Sequence, residues 1–314
     1  MKIAKVLVIA GSDSCGGAGI QADIKAIALN HVHPSTIITC LTAQNTSQVS
    51  AILETPLNFI QQQFDALNQD IEFNAVKIGM LSSLEIAELV YKNLLKFVEQ
   101  KIPIILDPVM IATSKDRLLK ENAIEFLKNK LSSLSTIITP NIDEAEILSE
   151  MKIKNVDDMI EAGKKIRQLN AKSVLIKGGH LEVNLEGDLA RSLEVNLNND
   201  LAENLQKNSN IDHSINLEKN SKNFTKNSAS NQDFDHHKIY NILIDQADQV
   251  HVITNDRLDL GNIHGTGCSL ASTISANIAK QINIVDACKL ANQFVFQAIL
   301  NSQKIGKGSL VLGY

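Results

Sequence analysis

The chain contains 314 residues, of which 44% are hydrophobic and 21% are charged, and its formal net charge is −5. A chain of this length buries enough apolar surface to fold without disulfides or a structural metal. The weakly acidic balance gives no electrostatic basis for binding DNA or RNA, so nucleic acid is not an expected partner. The four cysteines are far apart in the sequence, which is typical of reduced thiols in the cytoplasm.

No segment has the pattern of a targeting sequence or a membrane span. The apolar run 6–10 is too short for a signal peptide. The uncharged stretch 260–279 is rich in Gly, Ser, Thr and Asn, which argues against insertion into a bilayer. We therefore expect a soluble cytoplasmic protein with no membrane partner.

Short apolar segments alternate with amphipathic segments along most of the chain. The predicted strands are Val6–Ile9, Ser35–Cys40, Ala75–Ile78, Pro103–Leu106, Ser135–Thr139, Ser173–Lys177 and Val250–Thr254. The predicted helices are a segment marked by Ile20, Ile24 and Ile27, then Leu84–Gln100, Arg117–Leu131, Val156–Leu169, the segment after Gly267, and Val285–Asn301. This alternation predicts an α/β fold with a central, mostly parallel sheet flanked by helices on both faces.

One segment departs from the alternation. Eleven of the 47 residues in 192–238 are asparagine, and apolar residues occur there without a sustained period. We interpret the segment as an insertion into a single domain spanning 1–314. Its sequence is compatible with a helix over Leu193–Leu205. A neutral surface insertion is the simpler interpretation, and a lid over the site is the alternative.

Small, polar or acidic residues follow the predicted strands. Ligands of doubly wound folds bind beyond the carboxyl ends of the strands, so these residues are the candidate site. The first of them form the glycine-rich loop 11–19, which precedes a helix. Its amides could hold an anion or admit a flat ligand, or the loop could be only a tight turn, because neither a P-loop nor a complete dinucleotide-binding motif is present.

A sharper motif, His264-Gly265-Thr266-Gly267-Cys268, stands directly before a long predicted helix. Its amides would surround transferring phosphate oxygens at the positive helix terminus. In that position we expect Cys268 to have a depressed thiol pKa and to be available as a base. The alternative is a glycine-rich turn with an inert cysteine.

Three further polar residues follow two of the later strands. Asn141 and Glu144 could order Mg²⁺ and its waters against nucleotide phosphates, or they could form a helix capping box. Lys177 ends an apolar strand and precedes two glycines. It either contacts an anion or is a solvated lysine at a strand end.

Together and in this order, the motifs resemble the hydroxymethylpyrimidine/phosphomethylpyrimidine kinases of thiamine biosynthesis, in the ribokinase superfamily. The segments that carry the resemblance are GSDSCGGAGIQAD (11–23), TAQNT (42–46), DPVM (107–110), TPNIDEA (139–145), KGGH (177–180) and HGTGC (264–268). The resemblance covers 6–314 apart from the Asn-rich segment, and it implies a ribokinase-like fold. Cys15 stands where the family usually has a serine.

The resemblance also implies an activity and a set of site residues. The activity is ATP-dependent phosphorylation of 4-amino-5-hydroxymethyl-2-methylpyrimidine to its monophosphate and then to its diphosphate. The implied substrate positions are Gly11, Asp23, Gln44 and Met80, and a Gln44 amide can pair with a ring nitrogen and its adjacent amino group. The implied ATP positions are Asn141, Lys177 and Thr266, the Mg²⁺ positions are Glu144 and Asp107, and the catalytic positions are Cys268, Gly265, Gly267 and Lys177.

The role of Cys268 is a hypothesis of its own. Sugar kinases of the superfamily carry an aspartate base at the matching position. We expect Cys268 to assist deprotonation of the alcohol in the first phosphorylation. It should matter less in the second, because a phosphate monoester is already largely dianionic at neutral pH.

Two other functions stay open. A pyridoxal or pyridoxine kinase of the same superfamily is the nearer one, although Gln44 and its TAQNT context favour an aminopyrimidine. A non-catalytic pyrimidine- or nucleotide-binding protein is the other, and the competent residues at every reactive position argue against it. Dimers are usual in the family, whereas nothing in the sequence itself fixes the oligomeric state.

Overall fold

The computed structural model describes residues 3–110, 121–179 and 237–314. These residues fall in one compact unit made of Met1–Glu182 and His236–Tyr314. The start of the predicted helix Arg117–Leu131 lies outside the described residues, as do the open helix Leu193–Leu205 and the Asn-rich segment up to residue 236. A single domain with an Asn-rich insertion therefore stays a prediction.

A nine-stranded sheet forms the centre of the described part of the chain. Its strands are β1 (Lys5–Asp13), β2 (His33–Gln44), β3 (Val49–Glu54), β4 (Ala75–Ile78), β5 (Ile104–Leu106), β6 (Ile137–Ile138), β7 (Val174–Ile176), β8 (Lys238–Ile244) and β9 (Val250–Asp256). They lie in the order β3-β2-β1-β4-β5-β6-β7-β8-β9. The six strands from β2 to β7 in this order are parallel, whereas the β2–β3, β7–β8 and β8–β9 pairs are antiparallel.

Helices connect the parallel strands. They are α1 (Gly19–Leu29), α2 (Leu57–Asp70), α3 (Leu84–Glu99), α4 (Glu121–Phe126), α5 (Ser132–Leu134), α6 (Ile142–Ser149), α7 (Val156–Arg167), α8 (Thr266–Ala279) and α9 (Ile284–Leu300). A π-helical segment, Leu127–Leu131, joins α4 to α5. None of the helices within the described ranges combines the length and apolarity that a membrane span requires.

The two faces of the sheet are covered by different helices. On one face, α1, α8 and α9 pack against alternate strand residues such as Val8, Ile105 and Leu175. On the other face, Gly163 of α7 lets that helix approach Ile244 and Ile176 closely. Because each central strand is buried on both sides, its sequence is almost uninterrupted apolar residues.

The predicted mostly parallel sheet with helices on both faces is confirmed. Each predicted strand matches an observed one, although β6 is confined to Ile137–Ile138 and β2 extends to Gln44. The prediction lacked β3 and β8, and also β10 (Ile263–His264) and β11 (Leu310–Val311), which form a separate parallel pair. The continuous helix expected up to Leu131 is wrong in its last turn, where the π-helical segment begins.

Candidate active site

Three polar residues from neighbouring connections meet at the carboxyl edge of the sheet. Asp107 follows β5 and is almost completely buried, and Lys177 directly follows β7. Lys177 Nζ lies 3.0 Å from Asp107 Oδ1 and 3.9 Å from Glu144 Oε2, at the start of α6. The sequence expectation that these strand ends converge is met by this cluster.

A capping box at the start of α6 holds Glu144 in place. The Glu144 backbone N–H donates to Asn141 Oδ1 at 2.9 Å, and the Asn141 backbone N–H donates to Glu144 Oε2 at 2.8 Å. The capping interpretation of these two residues is therefore correct in the structure. Burial raises the pKa of Glu144 to about 7, with Asp107 adding to the effect and Lys177 opposing it.

The charge state of Lys177 follows from its neighbours. Burial alone would lower the pKa of Lys177, but the carboxylates of Asp107 and Glu144 raise it overall. The ammonium group is therefore retained at neutral pH. With 15% of its side chain exposed, Lys177 can turn its charge toward an anion that binds at this carboxyl edge of the sheet, the region called the cleft below.

The first turn of α8 faces this cluster. Gly265 precedes the helix with a φ of 87°, and a Cβ there would lie 1.9 Å from the Gly17 carbonyl oxygen. A Cβ on Gly267 would lie 3.2 Å from Lys177 Nζ. The two glycines thus bring backbone amides of the helix terminus, including that of Thr266, next to an ammonium group. This combination suits phosphate oxygens.

The expected depressed pKa of Cys268 is wrong. The thiol is half-buried beside α1, and loss of solvation raises its pKa to about 12, although Lys77 opposes the shift. Asp23 and Asp107 add to the increase. Tertiary burial near two carboxylates thus outweighs the local effect of the helix N-terminus. The resting form of Cys268 is the protonated thiol.

Asp23 lies beneath the cleft. Its side chain is completely buried, and its two oxygens accept hydrogen bonds from Lys77 Nζ at 2.9 and 3.0 Å. Ser272 Oγ of α8 donates to Asp23 Oδ1 at 2.7 Å. Both carboxylate oxygens are thus hydrogen-bonded within the protein, between α1, β4 and α8.

Two of the other three expected substrate positions, Gly11 and Met80, are neighbours. A Cβ on Gly11 would come 2.7 Å from Cys40 Sγ and 3.5 Å from Met80 Sδ, so the buried Gly11 backbone lies against these two sulfur atoms. Gln44 is half-buried at the end of β2, and its Nε2 lies 2.9 Å from His264 Nε2. The Gln44 backbone also pairs with Ser14 Oγ, so Gln44 contacts both the loop after β1 and the residue two positions before α8, His264.

The model of the family described as phosphomethylpyrimidine kinase matches this chain over residues 13–212 and 193–312. The chain belongs to the phosphomethylpyrimidine kinase family. A relative from Aquifex aeolicus, the hydroxymethylpyrimidine/phosphomethylpyrimidine kinase, is 33% identical, with 98% of this chain and 99% of the relative covered. Several other relatives are bifunctional thiamine biosynthesis proteins, and this chain spans about half of their length.

Solved structures agree with the family and the fold. The phosphomethylpyrimidine kinase of Clostridium difficile is 33% identical with a TM-score of 0.67, and the match covers 95% of this chain and all of that one. The pyridoxal kinase of Bacillus subtilis, solved with ADP, is 28% identical with a TM-score of 0.76 and coverages of 99% and 97%. The predicted ribokinase-like fold of this phosphomethylpyrimidine kinase family member is confirmed.

Sequence reasoning missed two parts of the site. Lys77 lies within the apolar strand predicted over Ala75–Ile78, although a lysine in the middle of a buried strand is itself a signal of a buried partner. Asp13 and His264 belong to two of the sequence motifs, but the motifs themselves predict no role for either residue. In the structure His264 Nε2 lies 3.1 Å from Asp13 Oδ2.

The oxygen donors of the cluster fit a magnesium ion that is held mainly by phosphates and water. Within the described ranges, no group of three or more His, Cys, Asp or Glu side chains is arranged to hold a metal. Two buried carboxylates, Asp107 and Glu144, nevertheless share one lysine. Mg²⁺ commonly takes only one or two carboxylates and completes its shell with substrate phosphates and water.

Proposed function

We propose that this chain phosphorylates 4-amino-5-hydroxymethyl-2-methylpyrimidine with ATP to give the monophosphate, and then phosphorylates the monophosphate to the diphosphate, for thiamine diphosphate synthesis. The observation that carries the proposal is the approach of Gly267 and Lys177, which puts a helix N-terminus and an ammonium group at one point of the cleft. Membership of the phosphomethylpyrimidine kinase family supplies the substrate class.

The substrate side of the cleft offers both shape and polarity. In this proposal the ring lies beside Met80 and the Gly11 backbone, which are close enough that a Cβ on Gly11 would come 3.5 Å from Met80 Sδ. The Gln44 amide carries one acceptor and two donor hydrogens, which suit the amino group and ring nitrogen of an aminopyrimidine. Asp23 supports this wall from below through Lys77.

The phosphoryl transfer needs positioning and charge neutralisation more than covalent help. The substrate oxygen forms a bond to the γ-phosphorus while the bond from that phosphorus to the bridging oxygen of ADP breaks. The amides of 265–268 donate to the equatorial oxygens of the transferring group. Lys177 neutralises part of their charge, and Asn141 lies beside it for contacts with the nucleotide.

Asp107 and Glu144 are the residues that would hold magnesium. When bound with the nucleotide, the ion supplies neutralisation of phosphate charge. The carboxylate of Asp107 also holds the Lys177 ammonium group at 3.0 Å, so this residue orients the lysine as well.

Cys268 acts in this proposal as a hydrogen-bonding thiol beside the attacking hydroxyl group. A thiol with a pKa of about 12 does not accept a proton at neutral pH. In a loose transition state the hydroxyl proton leaves late, so little base catalysis is required before the oxygen–phosphorus bond forms.

Pyridoxal phosphorylation is the second candidate. The high TM-score to the Bacillus subtilis pyridoxal kinase favours it. A pyridine ring lacks the adjacent amino donor, however, so Gln44 would be incompletely paired with this substrate.

The test is an ATP-dependent assay in which the full chain is given hydroxymethylpyrimidine, and the mono- and diphosphate products are separated. We expect both products, and Lys177→Met should lower kcat by about 100-fold or more because one charge of the transition-state site is lost. Lys172→Met, an exposed lysine at the opposite end of β7, is the matched control and should leave kcat unchanged. Absence of the diphosphate would reject the two-step activity, and faster turnover of pyridoxal would favour the second candidate.

A further inference from the structure

His264 Nε2 lies between two atoms with opposite hydrogen-bonding requirements. It is 3.1 Å from Asp13 Oδ2 and 2.9 Å from Gln44 Nε2. A carboxylate oxygen can only accept a hydrogen bond, and an amide nitrogen can only donate one. A ring nitrogen that carries a hydrogen serves the carboxylate, whereas a bare ring nitrogen serves the amide. In the present orientation of the Gln44 amide, His264 Nε2 therefore cannot form hydrogen bonds with both neighbours at once.

The charge of Asp13 determines whether His264 Nε2 carries a hydrogen. Its carboxylate accepts backbone N–H groups from Cys15 at 2.8 Å, Gly17 at 3.0 Å and Ala18 at 2.8 Å. Burial would raise the pKa of Asp13, but the hydrogen bonds from His264 and from the Ala18 and Cys15 amides hold it below its usual value. The ionised carboxylate therefore requires a hydrogen on His264 Nε2.

Turning the Gln44 amide by half a rotation resolves the conflict. Its oxygen then shares the single His264 Nε2 hydrogen with Asp13 Oδ2 in a three-centre hydrogen bond. Its nitrogen faces Thr42 Oγ1, which lies 3.1 Å from the amide oxygen before the turn. The Thr42 hydroxyl can accept this hydrogen bond because it donates its own hydrogen to the Ser12 carbonyl at 3.0 Å. In this arrangement every member of the network is paired. One hydrogen and one oxygen lone pair of the amide remain for a ligand.

We infer that Asp13 and His264 are specificity-determining residues that lock the Gln44 amide in one orientation and thereby fix the order of donor and acceptor offered to the substrate. The inference rests on the proposed function, in which Gln44 contacts the aminopyrimidine. An aminopyrimidine edge carries an amino donor beside a ring-nitrogen acceptor. The 4-oxo analogue carries a carbonyl acceptor beside a ring N–H donor, which is the reverse pattern.

Both compounds carry the same hydroxymethyl group, so the kinase reaction reports on recognition alone. The measured quantity is the ratio of kcat/KM for the amino substrate to that for the 4-oxo analogue. For the wild-type protein we expect a preference of about 10- to 100-fold, the range of one mismatched bidentate pair. In His264→Leu the amide is free to turn, so the preference should fall to within about threefold, with turnover of the 4-oxo analogue unchanged or increased.

Three further variants make the test specific. His264→Gln places an amide donor near the position of Nε2 and should restore the preference. Asp13→Asn permits a bare His264 Nε2 and should reduce the preference. His251→Leu removes a similar histidine, one that lies 2.9 Å from Asp245 on a distant strand pair, and should leave the preference unchanged. A merely structural role of His264 would lower both kcat/KM values together.

Each outcome bears on the inference. An unchanged preference in His264→Leu and Asp13→Asn, with the amino substrate still phosphorylated, overturns the inference and leaves the proposed function standing. Failure of the wild-type protein to phosphorylate the amino substrate overturns the proposed function and the inference with it. If thermal denaturation shows that His264→Leu does not fold, Thr42→Val removes the other anchor of the amide and must show the same loss of preference.

Discussion

Lys77 Nζ lies 2.9 Å from Asp23 Oδ1 and 3.0 Å from Asp23 Oδ2, and both side chains are completely buried. Burial alone would lower the pKa of Lys77, but the Asp23 carboxylate raises it overall, so the lysine stays charged. Ser272 Oγ adds a hydrogen bond of 2.7 Å to the same carboxylate. One buried ion pair thus connects α1, β4 and α8, the helix whose first turn carries Cys268.

Lys77→Met should destabilise the protein strongly, because it leaves the Asp23 carboxylate buried without its partner. The expected loss in the free energy of unfolding is about 3–5 kcal/mol, measured by urea denaturation of the full chain. The exposed control Lys172→Met should change it by less than about 0.5 kcal/mol. The double variant Asp23→Asn/Lys77→Met should lose less than the sum of its single variants, because neither charge is then stranded.

The same series tests the implied contact between Asp23 and the substrate. Because both Asp23 oxygens are hydrogen-bonded inside the protein, Asp23→Asn should lower the free energy of unfolding and leave the KM for the pyrimidine nearly unchanged. A stable Asp23→Asn protein with a raised KM for the pyrimidine would contradict this assignment.

Cys268 should react slowly with alkylating reagents. A raised thiol pKa means a smaller thiolate fraction at any given pH, so a pKa of about 12 leaves almost no thiolate near neutrality. At about pH 8 we expect alkylation by iodoacetamide on the order of 1000-fold slower than for an unperturbed thiol, and the rate should keep rising with pH above about 10. Mass spectrometry of the peptide that contains Cys268 measures this rate. The same peptide in the urea-unfolded chain is the control. Equal alkylation rates in the folded and unfolded chain would contradict the raised pKa and indicate a reactive thiolate at Cys268.

Local sequence patterns predict the central strands well because these strands are buried on both faces. Val6–Ile9 and Ala75–Ile78 stand out as apolar runs, and both form parallel strands. The edge strand β3 has no such signal, since nearly all of its residues are exposed. β8 begins at the end of the Asn-rich segment, so the sequence pattern does not distinguish its apolar residues from that segment, and the strand is not predicted.

The site likewise contains residues that the sequence predicts and residue pairs that it does not. Residues at strand ends, such as Asp107 and Lys177, are predictable because topology alone brings them to one edge. The Lys77–Asp23 pair spans 54 residues and the His264–Asp13 pair spans 251, so no local pattern connects them. The pKa of Cys268 depends on the same long-range packing, and an argument from its helix position alone gives the wrong sign.

Cys268→Ala should slow the first phosphorylation more than the second. A hydroxyl nucleophile needs a partner that orients it, whereas the dianionic monophosphate does not. We expect the alanine variant to lose about 100-fold in the first step and less than about tenfold in the second, measured with each substrate separately. Equal losses in both steps would contradict the distinction.

Cys268→Ser separates hydrogen bonding from proton acceptance. A serine hydroxyl can donate and accept hydrogen bonds as the thiol does, but it does not ionise near neutral pH. If the protonated thiol is the working form, serine should retain the first step to within about tenfold of the wild type. A serine variant as slow as the alanine variant would instead indicate that Cys268 loses its proton when substrates bind.

Gly265→Ala should abolish most of the activity, because the substitution combines a strained backbone with a collision. The φ of Gly265 is 87°, and an added Cβ would lie 1.9 Å from the Gly17 carbonyl oxygen. Relief of that contact must separate the first turn of α8 from the glycine-rich loop at Gly17, which displaces the amides of this turn. We expect kcat to fall by about 100- to 1000-fold, as when a donor to the transition state is displaced.

Gly261 offers a matched control for the backbone strain. Its φ is 70°, but an added Cβ would meet no atom within 4 Å. Gly261→Ala should therefore cost about 1 kcal/mol of stability, measured by urea denaturation, and leave kcat unchanged. If both alanine variants lose activity equally, positive φ alone explains the effect. If Gly265→Ala retains full activity, the amides of this turn do not bind the transferring phosphoryl group, and the anion site must be sought elsewhere along the cleft.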